Sequence, residues 1–177
     1  MAKTDLRGII RRTNEPTDAD TPPGIPSALH VAAGQDRFGE QRRLGINKID
    51  FKVTSQDSTG LLIVEVTSHA KGGPERHLHV AQDEWFYVLE GQFLIEVGAE
   101  RFRLMSGDAV LAPRRVPHVW ANVGDGKSRF LGVLNPAGKM EAFFRDMAKT
   151  ASMAPPDPAL WRVYDLEWVG PPLPIEP

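Results

Sequence analysis

The sequence predicts an all-β domain, either an antiparallel sandwich or a barrel, followed by one short helix. Between residues 47 and 135, short segments alternate apolar and polar side chains, which is typical of strands with one solvated face. Tight turns at 90–92 and 98–100 separate some of these segments, and turns at close intervals favour a sandwich or barrel. Beyond residue 139 the apolar residues recur with the period of a helix instead.

The predicted strands follow one another closely through this region. In the segment 61–68, Leu62, Val64 and Val66 share one face, whereas Glu65 lies on the other, solvated face. The remaining segments are 47–54, 84–89, 108–112, 117–123 and 128–135, together with a run containing Phe93, Ile95 and Val97 and a run containing Phe102 and Leu104.

A short helix is predicted over residues 139–150, and it would close one side of the barrel. Its apolar stripe consists of Met140, Phe143, Phe144, Met147 and Ala148. The tail that follows is rich in proline, but it also contains many large apolar residues. We therefore expect it to pack, either on its own barrel or on a neighbouring chain.

Three regions are predicted along the chain: an N-terminal arm (1–45), the barrel (46–136), and the C-terminal helix with its Pro-rich tail (137–177). The arm shows neither a strand nor a helix period and contains many glycines and prolines, so it is either disordered or packed on another surface. A small apolar set favours packing: Ile25, Leu29 and Val31.

The composition restricts the class of function. The chain has 177 residues and a formal net charge of −2, so one domain is expected and a nucleic-acid partner held by bulk charge is not. Cysteine is absent, which excludes disulfides, thiol nucleophiles and thiolate metal ligands. No targeting signal or membrane-spanning stretch is visible, and we expect a soluble, cytoplasmic protein without a membrane partner.

Three of the five histidines, together with one glutamate, are candidate metal ligands. His77 and His79 lie two residues apart, so on a strand their imidazoles point to the same face. Glu84 opens the next strand, and His118 lies on another strand. Three neutral imidazoles and one carboxylate suit a divalent first-row metal, with Fe, Mn, Ni and Zn as candidates. By contrast, His69 falls on the outward face of its strand and is expected at the surface.

These residues resemble the two sequence motifs of the cupin family. The first motif, His-x-His followed by Glu and then Gly, is matched by His77, His79, Glu84 and Gly91. The second motif is matched by Gly107, Pro113, His118 and Asn122. In the second motif, Arg115 stands where the family usually has Gly at a tight turn.

The stretch 83–91 is also similar to single-domain cupins of the quercetin-dioxygenase-like subgroup. This resemblance implies a double-stranded β-helix, a jelly-roll-like barrel, with His77, His79, Glu84 and His118 holding one metal ion. Four protein ligands leave two positions of an octahedral shell open. Similar proteins are often homodimers that exchange N-terminal strands, which would give the arm a role.

Strand parity predicts which side chains face the site. Trp120 and Asn122 share the face of His118, and Phe86 shares the face of Glu84. Phe93 adds to the same apolar interior. We expect these four residues to line the substrate pocket, which would suit a flat organic molecule.

The leading hypothesis is a metal-dependent, dioxygenase-like oxidoreductase acting on a small enolic or aromatic molecule. Glu84 would then serve as a base as well as a metal ligand. One alternative is an isomerase, epimerase or lyase acting on a sugar or keto acid without dioxygen. Another is a non-catalytic cupin that binds a small molecule and retains the metal.

Overall fold

The computed structural model describes residues 28–175, and the fold set out below is that of residues 31–175. This part of the chain folds into two antiparallel sheets, which confirms the all-β prediction. Its strands are β1 (Arg42–Leu44), β2 (Asn47–Val53), β3 (Leu62–Ser68), β4 (Arg76–His79), β5 (Asp83–Glu90), β6 (Gln92–Val97), β7 (Glu100–Met105), β8 (Ala109–Ala112), β9 (His118–Asn122), β10 (Ser128–Asn135) and β11 (Leu166–Gly170). Between β10 and β11 lie the helices α1 (Met140–Thr150) and α2 (Pro158–Trp161) and a 3₁₀ helix at Arg162–Tyr164.

The two sheets face each other as a jelly-roll-like barrel. One sheet has the strand order β1-β2-β3-β10-β5-β8, and the other has the order β11-β4-β9-β6-β7. From β3 onward the chain passes repeatedly from one sheet to the other, so residues close in sequence contribute to both walls. The apolar side chains predicted to face inward, including Val64, Phe93 and Ile95, are buried in the core between the sheets.

The outer face of β3 differs from the expectation that it is solvated. Glu65 is buried because side chains from the neighbouring strands cover it: Arg129 Nε donates to its carboxylate at 2.9 Å, and Lys52 Nζ lies 3.2 Å away. The alternating pattern therefore identifies the inward face correctly, but the outward face is shielded by ion pairs.

Helix α1 confirms the predicted C-terminal helix. Its buried side chains, Met140, Phe143, Phe144 and Met147, belong to the same apolar core as the barrel. The ring of Phe144 meets Phe51 of β2 edge-on, with 6.1 Å between the centroids. The helix thus covers one side of the barrel at the end where β1 and β2 lie.

The Pro-rich tail packs on its own barrel, through a strand that the sequence pattern did not reveal. β11 pairs antiparallel with β4, placing Leu166 opposite His79 and Trp168 opposite His77. Trp161 of α2 is also buried. The strand that carries two candidate metal ligands is therefore flanked by the C-terminal segment.

Part of the segment predicted as an arm also packs on the barrel. Asp36 is buried and accepts hydrogen bonds from the backbone N–H groups of Phe38, Glu40 and Phe51, and it pairs with Arg42 of β1. Burial raises the pKa of this carboxyl, but the hydrogen bonds outweigh it and keep the pKa below its usual value.

Two further expectations concern the N-terminal arm and a membrane partner. Residues 1–27 of the predicted arm, including Ile25, lie outside the described residues, and the homodimer with exchanged N-terminal strands stays a prediction. Within residues 28–175, the helices are too short and too polar to cross a membrane.

Candidate metal centre

The structure brings the four predicted metal ligands together. His77, His79, Glu84 and His118 each offer a ligand atom, and these atoms all lie within 4.8 Å of one another. All four side chains are buried. His77 and His79 come from β4, Glu84 from β5 and His118 from β9, so the two sheets both contribute.

Pairing between β4 and β9 determines part of this convergence. His77 is the register partner of His118, and their ring centroids lie 4.7 Å apart. Successive side chains on β4 alternate between faces, so His79 follows His77 to the inner side. The rings of His79 and His118 are stacked, with 5.3 Å between centroids.

Close backbone packing also ties the two sequence motifs together. Gly72 and Asn122 exchange two backbone hydrogen bonds, of 3.0 and 2.8 Å. A Cβ atom on Gly73 would lie only 1.8 Å from the carbonyl oxygen of Trp120, so only glycine fits there. The glycines before His77 therefore allow the segment leading into β4 to approach β9.

Each imidazole is held through its Nδ1 atom by an oxygen acceptor. His77 Nδ1 lies 2.8 Å from the carbonyl oxygen of Glu75, and His118 Nδ1 lies 3.1 Å from that of Val116. His79 Nδ1 lies 3.3 Å from Oε1 of Gln82. Because these acceptors carry no proton, Nδ1 is the donor in each case, and the Nε2 lone pairs are left for a metal.

The Glu84 carboxylate closes the set of donors. Its Oε2 atom lies 3.1 Å from Nε2 of His118 and 3.2 Å from Nε2 of His79. Burial raises the pKa of Glu84, whereas a proton on Nε2 of His118 or His79 lowers it by donating to the carboxylate. A metal ion in the place of that proton would act in the same direction.

The protonation of His77 also suits metal binding. Burial, followed by the rings of His118 and His79, lowers the pKa of His77 to about 3. A neutral imidazole is the form that binds a metal ion.

The donor set fits a divalent transition metal. Buried Nε2 lone pairs and one carboxylate converge in a small volume, and His79 Nε2 makes no hydrogen bond within the described part of the chain. Electron-rich atoms buried this close together are stabilised by a cation among them. The set of three nitrogens and one oxygen matches first-row metals and does not discriminate among them.

A cavity of about 60 Å³ adjoins the cluster. Its lining includes His77, His79 and Glu84. The other lining residues are Leu44, Asn47, Ile49, Val64, Val66, Pro74, Trp120, Phe130, Met140, Phe143, Phe144, Met153, Trp161 and Leu166. Among residues 28–175, the metal ligands are the only ionisable side chains in this lining.

Of the four residues predicted to line the pocket, one lines the cavity and three do not. Trp120 lines the cavity and packs edge-on against Phe130. Phe86 and Phe93 are fully buried and lie outside the lining, Phe93 with its ring against that of Trp120. Strand parity identifies inward-facing residues, but not their depth in the barrel.

Asn122 also differs from the expectation of a pocket residue. Its Nδ2 donates to the carbonyl oxygens of Ala70 and Gly126, and its Oδ1 accepts from Gly124 N and Ser128 Oγ. These bonds hold the turn between β9 and β10, so the amide has a structural task. Asn122 does not line the cavity.

Arg115 occupies a position that favours glycine. Its φ of 64° lies in the left-handed region, and its backbone N–H donates to the carbonyl oxygen of His79 at 2.7 Å. The turn expected from the motif therefore forms despite the substitution, and it supports β4 from outside.

The side chains of Asp83 and His69 lie away from the centre. Asp83 receives hydrogen bonds from the backbone and guanidinium of Arg114 at the surface, and these lower its pKa to about 2. His69 and His30 are exposed.

Residues 63–134 match the family model described as a cupin domain. Over 49 residues, 28% of this chain, the sequence is 35% identical to an uncharacterized protein, MJ1618, of Methanocaldococcus jannaschii. Over 60 residues, 34% of this chain, it is 32% identical to the polyketide synthase CurC of Streptomyces cyaneus. Each match spans 39% of the length of the curated relative.

The fold is also similar to solved structures. KdgF from Halomonas sp. superposes with a TM-score of 0.53 at 22% identity, covering 62% of this chain and 94% of KdgF. A similarity at this level concerns the fold alone. Both findings concern the barrel: its fold is similar to that of KdgF, and it contains the segment 63–134 that matches the cupin-domain model.

Proposed function

We propose that this chain is a metal-dependent oxidoreductase that uses dioxygen to transform a small enolic or aromatic molecule. The observation that carries the proposal is the combination of a buried metal-ligand cluster with a cavity lined almost entirely by apolar side chains. The finer assignment, to the quercetin-dioxygenase-like subgroup, rests on the resemblance of the stretch 83–91 and belongs to the same proposal.

The lining favours oxidative chemistry over chemistry driven by side-chain acids and bases. Isomerases, epimerases and lyases move protons, which requires a positioned acid or base near the substrate. Within the lining, Glu84 is the one carboxylate, and its Oε2 atom already faces His79 and His118. A bound divalent transition metal supplies Lewis acidity and, if it is iron, reactivity toward dioxygen.

The protein's own residues would bind and orient the substrate and would exclude solvent water from it. Trp120 and Phe130 present aromatic surfaces on one side of the cavity, and Phe143 of α1 presents another. Such walls favour a planar, uncharged ring or enol and exclude water from the reacting atoms. Glu84 and the three imidazoles would hold the metal at the polar end.

The small free volume narrows the substrate class further. The narrow, mostly apolar space beside the cluster favours single-ring catechols and short β-diketones over three-ring flavonols. The similarity to a protein named polyketide synthase CurC supports including β-diketones, since polyketide chains contain them.

The experiment is oxygen uptake by protein loaded separately with Fe(II), Mn(II), Ni(II) or Zn(II), in the presence of catechols, β-diketones or flavonols. We expect substrate-dependent oxygen uptake with at least one redox-active metal. His118→Ala should abolish both metal binding and uptake. His69→Ala is the matched control, because His69 is exposed, and it should change neither.

Two outcomes would overturn the proposal. Oxygen uptake that stays at background with fully loaded protein and the whole panel would exclude the dioxygen reaction. Turnover of sugars or keto acids under anaerobic conditions would show instead that the centre works as an isomerase, epimerase or lyase.

A further inference from the structure

The cavity wall contains one buried amide, that of Asn47, whose oxygen is left unpaired by residues 28–175. Asn47 lines the cavity, and only 5% of its surface is exposed. Its Oδ1 atom has no hydrogen-bond partner among residues 28–175. Buried polar atoms in native proteins are nearly always hydrogen-bonded, so an unpaired amide oxygen beside a cavity needs an explanation.

Asn122 shows what a structural asparagine looks like in the same barrel. It is fully buried, and its amide makes four hydrogen bonds to surrounding groups. Asn47 is also buried, yet no hydrogen bond of its side chain holds a turn or a strand in the described part of the chain. Its amide is therefore available to a molecule in the cavity.

The position of Asn47 in the sheet keeps its side chain in the cavity wall. It begins β2, opposite Leu44 of β1 and Ser68 of β3. Leu44 and Ile49, two residues further along β2, line the same cavity. A strand paired on both sides cannot rotate its inward side chain to solvent, so the amide stays in place.

Little else in the lining can hydrogen-bond to a substrate. Besides the metal-ligand candidates, the lining residues offer the amide of Asn47 and the indole N–H groups of Trp120 and Trp161. The indole N–H of Trp161 is also buried without a partner among the described residues. The remaining side chains are apolar. A polar substituent of the substrate that lies away from the metal therefore has few hydrogen-bond partners. A charged substituent there has no partner of opposite charge in the lining.

We propose that Asn47 is a substrate-recognition residue, whose amide hydrogen-bonds to a neutral hydroxyl or carbonyl group on a small, otherwise apolar substrate. This inference rests on the proposed function for the other end of the substrate, whose oxygen atoms would lie at the metal centre. The predicted substrate class is an uncharged enolic or aromatic compound with one additional hydroxyl or carbonyl group.

The test measures binding without turnover, in zinc-loaded protein under anaerobic conditions. The probes are catechol and its two hydroxylated analogues, pyrogallol and hydroxyquinol, and dissociation constants come from calorimetry. The wild-type protein should bind at least one trihydroxybenzene about three- to tenfold more tightly than catechol. Asn47→Leu should remove this preference, so that the variant binds neither trihydroxybenzene more tightly than catechol. Asn47→Ala is a second variant with the same expected loss.

Thermal unfolding separates recognition from a structural role. Removing an unpaired buried amide relieves a cost of burial, so Asn47→Leu should raise the melting temperature by about 2 °C or more. The matched control is Asn122→Leu, which removes four hydrogen bonds and should lower it. A lower melting temperature for Asn47→Leu, or equal binding of all three probes by the wild type, would overturn the inference.

The two proposals fail in different ways. If Asn47 discriminates among the probes but no substrate consumes oxygen, the recognition role stands and the dioxygen reaction falls. If oxygen is consumed but Asn47→Leu keeps the wild-type preference, the reaction stands and the recognition role falls.

Discussion

Gln82 holds His79 in the orientation that a metal ligand needs. Its Oε1 atom accepts a hydrogen bond from His79 Nδ1 at 3.3 Å, and the side chain is buried. The bond leaves the Nε2 lone pair toward the other ligands. Gln82 is therefore a positioning residue, three residues after the ligand that it orients.

Replacing Gln82 with methionine tests this role. Gln82→Met keeps the length of the side chain but removes the acceptor, so the His79 ring loses its fixed orientation. Metal affinity should fall about 10- to 100-fold, as measured by competition with a chromophoric chelator. Gln92→Met is the control, since Gln92 contacts Arg103 at the surface, and unchanged affinity in Gln82→Met would contradict the role.

For individual residues, the sequence predicts the metal ligands better than the residues that orient those ligands or contact the substrate. The spacing of His77 and His79 and the motif position of His118 were sufficient to predict the cluster. Neither Gln82 nor Asn47 shows a periodic signal, because their roles depend on how β2, β4 and β5 are packed rather than on local alternation. An unpaired buried atom becomes visible only when all its neighbours are known.

Between elements, the inner cavity is separated from a second, more open cleft by a thin wall. Pro74, Met153 and Trp161 line both spaces. Trp161 comes from α2, and Met153 follows α1, with its side chain over Gly45. The segment between α1 and β11 therefore supplies Met153 and Trp161, two of the three residues that lie between the cavity and the cleft.

Shortening Met153 should make entry faster. In Met153→Ala the wall loses a flexible side chain, and catechol should associate with cobalt-loaded protein at least about twofold faster in stopped-flow absorbance measurements. Met105→Ala is the control, because Met105 is 55% exposed and lies on β7, outside both spaces. An unchanged association rate would mean that the probe enters by another route.

Element by element, sequence prediction succeeds where alternation is long and fails where pairing partners are distant. β3, β10 and α1 follow from their apolar periods. β11 was not predicted, since prolines surround it and its register with β4 contains an irregularity between Trp168 and Gly170. β1 spans only three residues, too few for a period to show.

For the whole molecule, the metal centre joins the two sheets. His77, His79 and His118 belong to the five-stranded sheet, whereas Glu84 belongs to the six-stranded sheet. A metal ion bound by all four would cross-link the walls of the barrel. Binding that occurs only in the folded state adds to the free energy of unfolding.

Removing the metal should therefore destabilise the entire barrel. At free metal concentrations of 100 to 1,000 times the dissociation constant, the stabilisation is about 3 to 4 kcal/mol. The melting temperature should fall by roughly 5 to 15 °C on chelation, as measured by calorimetry. His118→Ala should abolish this difference and His69→Ala should preserve it; identical melting of chelated and loaded protein would refute the cross-link.

The pairing of β11 with β4 has a consequence for the order of events during synthesis. β4 carries two metal ligands, but one of its two neighbouring strands is β11, almost at the end of the described chain. While the ribosome is still making residues 80–165, the outer edge of β4 has no partner from its own sheet. Chains emerge at about 5 to 20 residues per second, so this edge is open for several seconds. This edge of β4 can be covered only after β11 has emerged, so we expect metal loading to follow the synthesis of that strand.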